Sequence, residues 1–236
     1  WNPEEDPVGE TIWLQKVADS LGSNGMPNAI IGFADLSDPK VEKTLERHAD
    51  NKNWRGIRQM LNWGEQTNLR FTDRPDLMSD NQWRDGYRLL KKFEGSFDLQ
   101  VWPWQLEEGA SLAMEIQNVP VILNHTGMPI YWDDNSREIW RHGMHTIAQV
   151  ENVSVKISAL GMFKQDWAID DLRPWVLETI DLFGVDRCMF ASNFPVDKLF
   201  SDYETLWLAY QEIVSDFSET EKKKLFHDNA EIYYRI

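Results

Sequence analysis

Strand-like and helix-like stretches alternate along this chain, and that alternation restricts the fold more than any other feature. An opening helical stretch at 9–21 places Ile12, Trp13, Val17 and Leu21 at helical spacing, with Gly22 as a stop. Short apolar runs then appear at 29–34, 54–59, 97–102, 121–124, 153–157 and 188–191. Helical patterns at 38–49, 80–93, 105–117, 135–150 and 170–183 separate them, and two more near 201–214 and 219–233 close the chain. Strands that follow one another through helices lie parallel, because a parallel pair needs a long crossover. The pattern therefore predicts an α/β fold, a TIM-type (β/α) barrel with about six parallel strands. No Gly/Ser-rich linker interrupts residues 1–236, which predicts a single domain. A nucleotide-binding doubly wound sheet would carry a Gly-rich turn after its first strand. Asp35, Leu36 and Ser37 stand there instead.

In a β/α barrel the chemistry sits where strands give way to loops at their carboxyl ends. The run VILNHTGMP (121–129) ends its apolar part at His125, a side chain that titrates near neutrality and can act as base, acid or ligand. The other strand ends release Asp35, Arg58 with Gln59, Gln100 with Trp102, Lys156 with Ser158, and Ser192 with Asn193. Arg58 and Lys156 suit a carboxylate, the first bidentately and the second as a point charge. Arg55 is a secondary candidate. The 60–79 stretch lacks periodicity and reads as a long loop of the kind that often serves function. His48, late in its helix, reads as solvent-facing, and the His142/His145 pair as structural. Asp38-Pro39 reads as a helix cap, and Ser218 with Glu221 as a capping box.

Composition narrows the partners. A net charge of −15 argues against nucleic acid. No apolar run is long enough for a membrane span, and the acidic start WNPEEDPVGET is unlike a signal peptide. The lone Cys188 excludes an internal disulfide and fits a reducing cytoplasm. The partner left is a small-molecule substrate, one with negative charge if Arg58 and Lys156 serve it.

The ordered set IIGFADLSDP, RGIRQ, VILNHTGMP, VKIS, MFASNFPVD and DNAEIYYRI spans nearly the whole chain. It resembles the amidohydrolase-related family, TIM-barrel hydrolases of the amidohydrolase superfamily that include sugar and dicarboxylate lactonases. The resemblance implies an eight-stranded barrel with a His-x-His pair on its first strand and an Asp after its last. Neither is found here. The chain opens like the segment after the family's second strand, so the first two strands are expected to be absent. The exposed edges that remain predict a homo-oligomer. Asn193 stands in the Asp position, and Asp197 is the carboxylate within reach along the chain. Family members bind a divalent metal such as zinc. With His125 the only matched ligand, the ligand set is incomplete, and the expectation is no cofactor and no metal.

The resemblance implies a hydrolase that acts on a small cyclic ester (a lactone) or a related carbonyl compound by water attack. Its catalytic candidates are His125, Asn193 and Asp197, and its substrate-binding candidates Arg58, Gln100, Trp102, Lys156 and Ser158. The alternatives are a catalytically silent barrel fragment that acts as a binding or assembly module, and a decarboxylase.

Overall fold

A computed structural model of the chain describes residues 6–236. Helix α1 (Gly9–Ala18) precedes β1 (Ile30–Gly32), α2 (Val41–Ala49), β2 (Trp54–Ile57), α3 (Asn81–Leu89), β3 (Ser96–Leu99) and α4 (Leu106–Glu115). Then come β4 (Val121–Leu123), α5 (Asp134–Ala148), β5 (Val153–Ile157), the short α6 (Leu160–Phe163), α7 (Ile169–Phe183) and β6 (Cys188–Phe190). Helices α8 (Tyr203–Ile213), α9 (Glu219–Lys223) and α10 (Asn229–Tyr234) finish the chain, the last two joined by a π-helical turn over Lys224–Asp228. The strands form a 6-stranded sheet in chain order, every neighbour parallel. The alternation thus gives the sheet it predicts. Among the described residues, the outer edges of β1 and β6 pair with no further strand.

The strands sort their side chains by period two. Phe97, Leu99, Val121, Leu123, Val153, Val155 and Ile157 enter the core beneath the helices. There Trp83 stacks on Tyr87 at 5.4 Å between ring centres, and Trp140 meets Trp175 edge-on at 4.8 Å. Each fully buried aliphatic side chain contributes roughly 1.5–3 kcal/mol of transfer free energy. By the same parity Asp98, Ile122, Ser154, Lys156 and Met189 take the opposite face, the one a barrel encloses. That face is largely polar.

Close backbone approach fixes α3. A Cβ on Gly86 would stand 2.1 Å from the Leu36 carbonyl oxygen, so α3 touches the β1–α2 connection only because position 86 is glycine. Arg187 ties the next layer together. It donates to the carbonyls of Ala148 (2.7 Å), Val150 (3.0 Å), Val153 (3.1 Å) and Phe183 (3.1 Å), which joins the end of α5, the start of β5 and the end of α7.

Two local readings are corrected here, those of His48 and of the α2 cap, and the first follows from how α1 packs. The apolar stripe of the first helix points outward: Trp13, Val17 and Leu21 are exposed, while Thr11, Gln15 and Ala18 are buried. Hydrogen bonding explains it. Gln15 accepts from the Asn53 backbone N–H (2.8 Å), and Thr11 Oγ1 pairs with His48 Nδ1 (2.9 Å). His48 is accordingly fully buried rather than solvent-facing, its Nε2 on the Phe33 carbonyl (2.9 Å) and its ring stacked on Trp54. Burial holds its imidazole down at about 4. The α2 cap falls on Lys40 with no side-chain bond, not on Asp38. The Ser218–Glu221 capping box is present as read. The 60–79 stretch is a loop broken by two single 3-10 turns.

Candidate active site

Three consecutive strands leave the sheet through strained backbone. His125 after β4, Ala159 after β5 and Asn193 after β6 all have positive φ, at 57°, 62° and 56°. Non-glycine residues rarely adopt this region, and it concentrates at functional sites. After β4 the left-handed run continues through Thr126, Gly127 and Met128. It is stabilised from next door. Thr126 Oγ1 donates to the Ser158 carbonyl (3.1 Å) and accepts from the Ser158 N–H (3.1 Å), while Trp140 Nε1 donates to the Thr126 carbonyl (2.7 Å).

This latch seats His125. Its Nδ1 pairs with Ser158 Oγ at 3.0 Å, and its Nε2 has no hydrogen-bond partner among the described residues. The imidazole is held down at about 3, first by burial and then by the positive charges of Lys156 and Arg58. His125 is therefore neutral throughout the working range and does not titrate near neutrality as its residue type suggests.

A buried carboxylate, Asp197, stands on the 3-10 turn after β6, against α6. It is 1% exposed, and Asn193 Nδ2 donates to its Oδ1 at 2.8 Å. Burial pushes it up to about 6 against the opposing effect of that hydrogen bond. Asn193 Nδ2 also approaches the Met162 sulfur on α6 at 3.1 Å.

The remaining candidates divide. Arg58 is exposed just after β2, its side chain without a hydrogen bond or ion pair among the described residues, and its charge acts on His125. Lys156 lies nearby but is not free: its Nζ sits 2.6 Å from Asp98 Oδ2, an ion pair across the enclosed face. Gln100 is held by the long loop, where its Nε2 donates to Asn62 Oδ1 (3.3 Å). Trp102 is buried, its Nε1 on the Leu69 carbonyl (2.8 Å), and it packs that loop. The Arg55 guanidinium is taken up by the carbonyls of Lys52, Trp54 and Arg235. His142 pairs with Glu107 on the surface. Two residues outside the sequence reading belong to the enclosed face: Asp98, and Tyr234 from α10, whose Oη donates to Asp98 Oδ2 (3.1 Å). An acid inside the apolar run at 97–102 was the available signal for Asp98; nothing local marks Tyr234.

The family model "Amidohydrolase" matches residues 4–236. The chain belongs to the amidohydrolase family. It is 46% identical over 232 residues to "Uncharacterized protein y4mH" of Sinorhizobium fredii, covering 98% of this chain and 76% of that one. It is 28% identical to an L-fucono-1,5-lactonase of Burkholderia ambifaria, covering 88% of this chain and 70% of that enzyme. Among solved structures, an amidohydrolase from Burkholderia multivorans with bound zinc superposes with a TM-score of 0.82 at 22% identity, over 96% of this chain and 79% of that one.

That zinc corrects the expectation of no cofactor and no metal, since a protein of this same fold holds one. The described residues of this amidohydrolase supply only part of a ligand set. His125 Nε2 is open, but Asp98 is engaged by Lys156 and Tyr234, and Asp197 by Asn193. The one described trio of potential ligand atoms within 4.8 Å of one another is His227, Asp228 and Glu231. It lies on the exterior, and Lys223 pairs with Asp228 there at 2.9 Å. At the mouth, the described residues do not make a metal site by themselves. No described helix is long and apolar enough to cross a membrane.

Proposed function

We propose that this amidohydrolase opens a small, negatively charged lactone at the carboxyl end of its sheet. The observation that carries the reading is Asp197, a buried carboxylate pushed up to about 6 beside the strained exit of β6. A general base works best with a pKa close to the operating pH. Asp197 takes a proton from water as the water oxygen attacks the lactone carbonyl carbon. His125 stays neutral, with Ser158 Oγ–H donating to Nδ1, so Nε2–H is free to donate to the carbonyl oxygen as negative charge develops there. When the ring C–O bond breaks, the alkoxide takes the proton from Asp197, and the product is the hydroxy acid. Arg58 and Lys156 hold the substrate's charged group. The lactonase relative supports the class of bond attacked.

A panel of lactones, with L-fucono-1,5-lactone and charged dicarboxylate lactones among them, tests this by acid release at constant pH in zinc-supplemented buffer. At least one is expected to open well above the buffer rate, and Asp197→Asn is expected to lower kcat roughly a hundredfold. No hydrolysis of any member, or full activity in Asp197→Asn, would overturn the reading.

A further inference from the structure

The end of the chain enters the enclosed face. Arg235 Nη2 donates to the Arg55 carbonyl (2.6 Å) and Arg55 Nε donates back to the Arg235 carbonyl (3.1 Å), which clamps the terminus to the start of β2. Tyr233 Oη donates to the Asp186 carbonyl just before β6 (3.0 Å). Between these anchors Tyr234 reaches the face opposite the helices. Its Oη lies 3.1 Å from Asp98 Oδ2 and 3.3 Å from Oδ1. Lys156 Nζ, 2.6 Å from the same Oδ2, stands 5.7 Å from the centre of the Tyr234 ring.

Chemistry ranks these contacts. Asp98 is 1% exposed, and a carboxylate that deep needs several donors. Lys156 and Tyr234 share the task. Lys156 carries three N–H bonds, and among the described residues only Asp98 accepts from it. Its side chain is 16% exposed, so the other N–H bonds are open to solvent and to a ligand. Arg58 adds a second, unpaired positive charge close by. Lys156 and Arg58 thus bring two cations to the neighbourhood of one buried carboxylate, inside a strongly acidic protein. Tyr234 sets how much of Lys156 Asp98 consumes. With the phenol donating, the carboxylate is satisfied and the ammonium is held at one geometry; without it, the carboxylate draws on the ammonium alone.

We propose that Tyr234 is a positioning residue: by sharing Asp98 with Lys156, it fixes the ammonium so that its remaining N–H bonds receive a ligand carboxylate. The assignment rests on the anionic-substrate reading above, and its test needs no turnover. Citrate, a tricarboxylate, is titrated calorimetrically into the full chain, into Lys156→Met, into Tyr234→Phe and into the double variant. The full chain is expected to bind, Lys156→Met to weaken binding about tenfold or more, and Tyr234→Phe roughly three- to tenfold. The double variant is expected to bind no more weakly than Lys156→Met alone, the mark of one coupled unit. Merely structural loosening would add to the loss. Unchanged affinity in Tyr234→Phe, additive loss in the double variant, or no citrate binding by the full chain each overturns the proposal. Coupled citrate binding without hydrolysis of any lactone would fail the hydrolytic reading and leave this one standing. Should Tyr234→Phe not fold, Asp98→Asn reads the same link, and citrate affinity unchanged there overturns it as well.

Discussion

Asn193 Nδ2 donates to Asp197 Oδ1 at 2.8 Å, across one turn of the chain that follows β6. The two residues work as a unit. Asn193 is held in the left-handed region and turns its amide onto the acid, and the acid is buried against α6. An amide cannot accept a proton as a carboxylate does. Here it steadies a carboxylate that can.

The pH profile should report this pair. Asp197 must be ionised to act as base, so kcat should rise with pH through an apparent pKa near 6. The Asn193 hydrogen bond lowers that value, so in Asn193→Ala the limb should move to higher pH. Linkage carries the opposite sign for stability. The folded acid binds its proton more tightly than the unfolded one, so its contribution falls as pH rises from about 4 to about 6. Asp197→Asn should therefore melt higher than the parent at pH 8 while being the less active protein, and pH-stat rates with thermal melts check both.

Acid should destabilise the protein through its buried imidazoles. His48 and His125 are held at about 4 and about 3 in the fold, against an ordinary 6.5. Between those values the unfolded chain takes protons that the folded chain refuses, so stability is full above about 6.5 and is lost as pH falls. Each histidine contributes up to about 1.4 kcal/mol per pH unit. Asp197 opposes this only below about 6. Melts from pH 7.5 to 6 should show Tm falling, and in His48→Gln the slope should be roughly halved. An unchanged slope would mean that His48 takes up its proton without unfolding.

Arg187 should not tolerate lysine. Its guanidinium serves four carbonyls that end or begin three different elements. A single ammonium cannot reproduce that planar fork. Arg187→Lys is expected to lower stability by about 2–3 kcal/mol in urea unfolding at constant m value.

Gly86→Ala is expected to be costly although it adds one methyl group to a helix, where alanine is normally favoured. The added Cβ would stand 2.1 Å from the Leu36 carbonyl oxygen, so α3 must move away from the β1–α2 connection. A melt at or above that of the parent would show that the connection yields instead.

The sheet was legible in the sequence because its signal is local: apolar runs, helical spacing and turn residues repeat in order. The strand exits were legible for the same reason, and His125, Ser158, Asn193 and Asp197 all stand at them. Partnerships between strands were not legible. Lys156 looks like an open anchor in VKIS, yet its ion pair comes from Asp98, 58 residues earlier. The facing of the first helix was not legible, because periodicity shows that a stripe exists and not which way it turns. Thr11 and Gln15 turn the helix through bonds to His48 and Asn53. The fate of His48 depended on those same tertiary bonds.

The clamp between Arg55 and Arg235 joins positions 180 residues apart. Consecutive strands pair in chain order, so most of the sheet forms through contacts between neighbouring elements. The clamp instead closes a long loop, and contacts of that kind cost more chain entropy and slow folding. Until it closes, the sheet can stand with Tyr234 away from Asp98, so the last helix joins the enclosed face through the slowest class of contact that the fold uses.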